Sequence, residues 1–423
     1  MKKLLTVLLS FMLVAVLFTG CKKTTTPPST GTTTSPSTGT TTPPSTGTTA
    51  AKFHIGVVTG TVSQSEDNFR AGEELVKEYG SVANGGMIQT LTYPDNFSSE
   101  METTVADIVG LADDPLMKAI IVSEGVEGTT EAFKEVRAKR PDILLFTATP
   151  HEDPSVIDAA ADLAVDQDEI SRGYLLVWAA KQMGAKTFVH ISFPRHMSME
   201  LLSRRRYIME AACKDLGLKW VFETAPDPTS DVGMAGAQQF MLEQTPSWIQ
   251  KYGKDTAFFC TNDGETEPLI KQIMKYGGMF VEPNMQGPLL GYPGALGIDL
   301  SAEQGNWPAI LKKIEQAVID QGGKGRFGAG AWSLVYTEVC GLGEFAKRCI
   351  EGTAQLHSNA DLFDALAKYT PGTTWNGSMY RDLNKSAAET NHMLIYEDTY
   401  VFGRGYLGAT KQVVPVKYLT IKN

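Results

Sequence analysis

From Phe53 to Tyr276 apolar, strand-like runs alternate with segments of helical periodicity, and no other feature constrains the fold of this chain so strongly. FHIGVVTG (53–60), MIQTLTYP (87–94), AIIVSEG (119–125) and DILLFTATP (142–150) have strand character, and the spacing predicts helices over 64–79, 98–111 and 129–140. A short strand at 163–167 and a long helix over 169–183 interrupt the pattern. It then restarts with strands at 186–194, 219–226 and 257–260 and helices over 198–216, 233–250 and 268–276. Strands separated by helices of this length pair in parallel and are covered on both faces. Two runs of roughly 110 to 130 residues are each of ordinary domain size. The expected class is therefore α/β, with two Rossmann-like lobes, each a parallel sheet with helices on both faces, joined by a hinge.

In open sheets of this kind, the loops at the carboxyl ends of the strands face the ligand crevice. The clearest such loop is Thr261-Asn262-Asp263-Gly264, between the apolar run Ala257–Cys260 and the helix that follows. Two roles are open to it. Asn262 and Asp263 can meet a ligand, or Asn262 can cap the helix with Glu265 at the capping-box position.

The order of segments resembles the type I periplasmic binding proteins. LAVDQDEISRGYLLVWAAKQMG (163–184), with Asp166 and Gly173, resembles their crossover into the second lobe. FFCTNDGETEPLIKQIMKYG (258–277) resembles their Asn-Asp loop and helix, and HISFPRHMSMELLSRRRYIMEAACKDLG (190–217) the loop and helix where an Arg often meets the ligand. LLGYPG (289–294) resembles the hinge return to the first lobe. The resemblance covers about Lys52 to Gln321 and implies a first lobe of 52–164 plus about 295–330 and a second of 165–294. Residues 331–423 are then an extension that completes one or both lobes. It further implies a solute receptor, not an enzyme, that closes on a small polar ligand such as a sugar or nucleoside. Such a receptor hands its ligand to an ABC-transporter permease, or signals to a membrane sensor.

The amino terminus fits that setting. Lys2 and Lys3 precede an apolar run, Leu4–Phe18, too short to span a bilayer. Phe18-Thr19-Gly20-Cys21 resembles a bacterial lipobox, which implies lipidation at Cys21 and a place on the extracytoplasmic face of the membrane. Residues 24–47 are three copies of one octapeptide, TTTPPSTG, TTTSPSTG and TTTPPSTG. These repeats hold no apolar side chain beyond proline, so 22–51 is expected to be a disordered tether. The net charge of −10 argues against nucleic acid as a partner. A DNA-binding repressor is disfavoured too, because a signal and tether stand where its headpiece would be. A monomer is expected.

Strand ends and the resemblance together nominate the ligand contacts. In the first lobe they are Thr59, Ser63, Gln64, Ser123, Glu124, Thr149 and His151; in the second, Phe193, Arg195, Asn262, Asp263 and Tyr292. Carboxylates and amides suit hydroxyls, Arg195 offers a fork of donors, and Phe193 offers a ring face. Glu124 has an alternative role as a cap for the helix at Thr129. Arg204-Arg205-Arg206 is expected on a solvated helix face.

No metal or cofactor is expected. His151-Glu152 and His196 lack metal-ligand spacing, and GKGRFG (323–328) and GRGYLG (403–408) lack the strand-to-helix context of a dinucleotide site. A surface hydrolase would need a nucleophile or a spaced carboxylate pair in the crevice. Cys213, Cys260, Cys340 and Cys349 read as thiols. Toward the end of the chain, helices are expected over 306–321, 333–350 and 361–369, a loop over 369–377, and strands over 393–402 and 413–421. Trp332 and Trp375 are candidates for stacking on a ligand, or for core packing.

Overall fold

The computed structural model describes residues 51–62, 66–95, 97–228, 230–385 and 388–422. The signal segment, Cys21, the octapeptide tether, Ser63 and Gln64 lie outside them.

The first half of the chain builds β1 (His54–Thr59), β2 (Ile88–Thr92), β3 (Met117–Ser123), β4 (Leu144–Ala148) and β5 (Leu163–Gln167). The second builds β6 (Thr187–Ser192), β7 (Lys219–Thr224), β8 (Thr256–Cys260) and β9 (Met279–Phe280). Five strands follow: β10 (Gly328–Gly330), β11 (Trp375–Met379), β12 (His392–Glu397), β13 (Thr399–Val401) and β14 (Gly405–Tyr406). The first sheet runs β11-β12-β5-β4-β3-β1-β2, parallel except for the antiparallel edge strand β11. The second runs β7-β6-β8-β9, all parallel. A parallel bridge from Phe280 to Phe327 links it to the small antiparallel sheet β10-β13-β14.

Period-two alternation explains the layers. In β3, Ile120 and Val122 pack with Ile108 and Leu111 of α2 (Met101–Leu111) and Phe133 and Val136 of α3 (Thr129–Lys139). Ala119 and Ile121 point the other way, into the core that holds Ala71 and Leu75 of α1 (Glu66–Tyr79). After the short α4 (Pro154–Ile157) comes the crossover helix α5 (Glu169–Met183). It lies against α7 (Glu200–Leu216), which the single turn α6 (Pro194–Ser198) precedes. A Cβ on Gly173 would sit 2.7 Å from Ile208, so these two helices meet at a contact only glycine permits. The opposite face of the second sheet carries α8 (Gly233–Tyr252) and α9 (Thr266–Tyr276).

Several expectations are corrected here. LLGYPG does not return to the first lobe. Its Tyr292 opens α10 (Tyr292–Leu296) fully buried, packs on Phe280 and Phe402, and donates to Gly328 O at 2.7 Å. The segment 295–330 stays with the second lobe: α10 packs on α9, and Glu315 of α11 (Trp307–Asp320) accepts from Tyr400 and from Gly403 N. The return runs instead through 331–333 into α12 (Leu334–Glu351), which covers β1, β3 and β4, with α13 (Asn359–Tyr369) beside it. The strand-like run 393–402 is split between two sheets at Asp398, and part of the expected loop 369–377 is β11. The run 413–421 holds α14 (Val416–Leu419), whose Tyr418 stacks on Tyr174 of α5. The extension thus adds to both lobes, and the chain passes between sheets at 167–169, 331–333 and 397–399.

Candidate functional site

The carboxyl ends of β3, β4 and β5 and those of β6 and β8 line one cavity of about 620 Å³. Glu124, Thr149, His151, Asp166, Gln167 and Glu169 come from the first sheet and its crossover, and His196, Glu200 and Thr261 from the second. A neighbouring cavity of about 540 Å³ shares Glu124 and Met285 with it and adds Asp67, Asp263 and Gln286.

Two lining residues hold backbone conformations that side chains disfavour. Glu124 (φ 60°) and Thr149 (φ 44°) directly follow β3 and β4 in the left-handed region, at a cost of about 1–3 kcal/mol each. Their surroundings over-determine them. Glu124 accepts from Asn68 Nδ2 at 3.0 Å and Tyr93 OH at 3.1 Å, and its carbonyl accepts from His151 N at 2.8 Å. Thr149 N donates to Val165 O at 2.7 Å, and its hydroxyl donates to the buried carboxyl of Glu338. Burial pushes the Glu338 pKa well up.

Of the nominated residues, the structure brings Glu124, Thr149 and His151 to the larger cavity and Glu124 and Asp263 to the smaller. Glu124 does not cap the Thr129 helix; Glu152 accepts from Gly128 N and Thr130 N there. Nor does Asn262 cap through its side chain, and Glu265 is turned inward to accept from the Cys260 thiol at 3.2 Å. Asp263 instead accepts from Asn284 N at 3.1 Å and Met285 N at 3.3 Å, and burial pushes its pKa up to about 7.

Others lie elsewhere. Arg195 forks onto Asp227 at 2.7 and 3.0 Å, outside both cavities. Phe193 is fully buried under His196, with ring centroids 4.2 Å apart, and Ser123 is buried within its strand. The Thr59 hydroxyl donates to Gly60 O. Trp332 packs on Trp307, and Trp375 donates to the Thr370 hydroxyl, so both are core. The four cysteines after Cys21 are free thiols.

Sequence reasoning missed the charge cluster behind the cavity. Arg204 and Arg205, expected on a solvated face, are buried. Arg172 of α5 donates to Glu282 Oε1 at 2.8 and 3.0 Å, to Asn284 O at 2.7 Å and to Pro283 O at 3.1 Å. Arg205 pairs with Glu169 and donates to Asn284 Oδ1 at 2.7 Å. Gln286 exchanges two hydrogen bonds with the Glu397 backbone, beside the 397–399 crossing. The signal available was helical register: Arg172 and Arg205 lie on the inward faces of helices whose apolar residues face each other.

The profile of the family described as "Protein of unknown function (DUF3798)" matches residues 53–328, and a second family profile matches 339–421. An uncharacterized protein of Treponema pallidum (strain Nichols) is 42% identical over 218 residues, 52% of this chain and 99% of that protein. Another from the same strain is 49% identical over 178 residues, 42% of this chain and 80% of that protein. The structure of a putative transcriptional regulator from Clostridium difficile 630 superposes with a TM-score of 0.73 at 22% identity, over 83% of this chain and 99% of that one. The substrate-binding protein of a sugar ABC transport system from Bordetella parapertussis 12822 does so with a TM-score of 0.50 at 10% identity, over 82% and 89%.

Proposed function

The chain belongs to the DUF3798 family and has the type I periplasmic-binding-protein fold, and from that premise we propose that it is an extracytoplasmic solute receptor. It takes up a small polar solute, a sugar, nucleoside or similar molecule, between its two sheets and presents it to an ABC importer. Cys21 carries the lipid that keeps it at the membrane, and the octapeptide repeats act as its tether. No helix among the described residues is long and apolar enough to cross a membrane, in keeping with an anchor at Cys21.

The observation that carries this proposal is the placement of the larger cavity. It lies beyond the carboxyl ends of both parallel sheets, where open α/β sheets bind ligands, and polar side chains from both sheets line it. Its volume of about 620 Å³ is in the range of small-molecule sites. The lining offers hydrogen-bond donors and acceptors suited to a polar solute. Binding without turnover is the activity proposed.

Native mass spectrometry of the freshly purified full chain in detergent tests it. A retained solute is expected, and adding that solute back to stripped protein at 100 times its dissociation constant stabilises the fold by about 2.7 kcal/mol. Conversion of the solute to a product, or an empty protein that no solute stabilises, sinks the proposal.

A further inference from the structure

Within that reading, the charges around the two cavities narrow the class of solute. Among the described residues that line the two cavities none is Lys or Arg, yet eight are carboxylates. Four of the eight are spoken for. Glu169 pairs with Arg172 and Arg205, and Glu200 with Arg204 at 2.8 Å. Glu152 serves the start of α3, and Asp153 caps α4 through Ser155 N at 2.9 Å. Asp263 is held by backbone N–H groups and Asp67 lies in the smaller cavity.

Glu124 and Asp166 are different, because their partners are neutral or weakly basic groups. Glu124 is held by an amide and a phenol, with His151 Nε2 at 3.8 Å. Asp166 Oδ1 accepts from Gln167 N at 2.6 Å, while Oδ2 lies 4.0 Å from His392 Nε2. His392 is itself buried and already paired with Asp158 through Nδ1 at 2.7 Å.

An independent observation comes from Gln167. Gln167 is among the residues that line the larger cavity, it is 1% exposed, and among the described residues neither its Oε1 nor its Nε2 has a hydrogen-bond partner. A buried carboxamide with both ends unmatched is costly unless something fills the space beside it. What fills it must accept from Nε2 and donate to Oε1. The nearby guanidiniums cannot draw an anion into that space. Arg172 and Arg205 are fully buried and turned to Glu169, Glu282 and Asn284. Nor do the carboxylates form a metal site, since no three metal-ligating groups converge among the described residues.

We propose that the larger cavity selects a small organic cation, a solute with a protonated nitrogen that pairs with Glu124 or Asp166 while the Gln167 carboxamide reads an adjoining donor–acceptor edge. Solutes carrying phosphate or carboxylate are excluded by the same charges. An amino-bearing sugar, an aminated nucleoside or a hydroxylated amine would each satisfy this description.

The test separates this class from the receptor reading on which it rests. A polar-metabolite extract is divided by ion exchange into cationic, neutral and anionic pools, and each is offered to the full chain in detergent. Solutes that survive gel filtration are released and identified by mass spectrometry, with heat-denatured protein as control. Retention from the cationic pool is expected, falling about tenfold or more in Gln167→Leu and in Asp166→Asn, the scale of one lost charge-assisted or buried hydrogen bond. Gln167→Leu removes two unmatched polar atoms, so its melting temperature without ligand stays level or rises, which shows that lost retention is not lost folding. Retention from the neutral or anionic pool instead, or undiminished retention by Gln167→Leu, overturns the proposal and leaves the receptor reading standing. Retention from no pool overturns both.

Discussion

Replacing Arg172 by methionine tests whether the buried charge cluster is built as described. Arg172 is 1% exposed and Glu282 2%, and three nitrogens of the guanidinium reach Glu282, Glu169 and the carbonyls of Pro283 and Asn284. Methionine matches the stem and removes the fork. Glu282 is then left with the Thr399 hydroxyl at 3.0 Å and the Gln286 amide at 3.4 Å, and with no cation. Leaving one partner of a buried ion pair uncompensated costs about 3–5 kcal/mol, whereas the intact pair adds little over an apolar packing. The two facts together fix the outcome of a cycle. Arg172→Met alone lowers the stability by about 3–5 kcal/mol. Glu282→Gln added to it restores part of the loss, with a coupling of about 0.5–3 kcal/mol. Urea unfolding of the full chain, followed by tryptophan fluorescence and far-UV circular dichroism, measures both, provided the two probes coincide. A loss under about 1 kcal/mol for Arg172→Met, or strict additivity in the double variant, refutes a desolvated pair at this position.

Other outcomes follow from the same contacts. An exposed helical Gly→Ala change gains about 1 kcal/mol, but Gly173→Ala places a Cβ 2.7 Å from Ile208 and 3.2 Å from Arg205 O. It is expected to cost about 1–3 kcal/mol in urea unfolding with the slope unchanged. Asp263→Ala strips the acceptor from Asn284 N and Met285 N. A loss of about 1–3 kcal/mol is expected, together with faster hydrogen exchange at those two amides; unchanged exchange there removes the clamp. Burial pushes Asp166 up to about 7, against the pull of His392, and burial also takes Asp263 and Glu265 to about 7. These folded values lie above the unfolded ones of about 4, so their favourable contribution is complete below about pH 4 and is lost as pH rises through 7. Glu344 has the opposite sign: despite burial, hydrogen bonds from Lys368, Tyr79 and Arg348 hold it down to about 2, so its contribution fails in acid. The melting temperature of the ligand-free protein should therefore fall from pH 5 to pH 8, and fall less in Asp166→Asn; a rise over that range contradicts the assignment.

Much of the architecture was legible because period is a local property. The alternation in 53–276 located β1 to β8 to within a few residues, since short strand-like runs between helical segments admit few other assignments. What could not be read was how the last hundred residues divide. The run 393–402 looks like one strand, yet its halves pair with β5 and with β10, because Asp398 turns the chain there and accepts from Gly408 N and Ala409 N. The run 413–421 has strand-like composition, but Pro415 cannot donate to a ladder, and Val413 and Val416 are left exposed. Tyr292 was placed at the hinge by segment order, although an aromatic between glycine and proline carries no local mark of burial. Its true role depends on Phe402, 110 positions away in sequence.

The site was legible only where it coincides with strand ends. Glu124, Thr149 and His151 reach the larger cavity because they stand within three residues of the carboxyl ends of β3 and β4, and such loops face the crevice. Arg195 satisfied the same criterion and still points away, because Asp227, in the loop after β7, lies within reach of its fork. A strand-end rule fixes where a backbone emerges but not which neighbour a long side chain meets. Gln167 inverts the case. It belongs to a strand, LAVDQ, that reads as fully buried, and a buried strand gives no reason to suspect a polar contact. Only the seven-stranded sheet reveals its position, with Ile395 of β12 beside its backbone and no hydrogen-bond partner for its carboxamide among the described residues. Gln167 also stands two residues before Glu169, which lines the cavity and pairs with both Arg172 and Arg205. Gln167, whose buried carboxamide has no partner among the described residues, therefore lies on the same crossing as the charges that fix that crossing in place, and a solute seated against it as proposed would act directly on the chain that joins the two sheets.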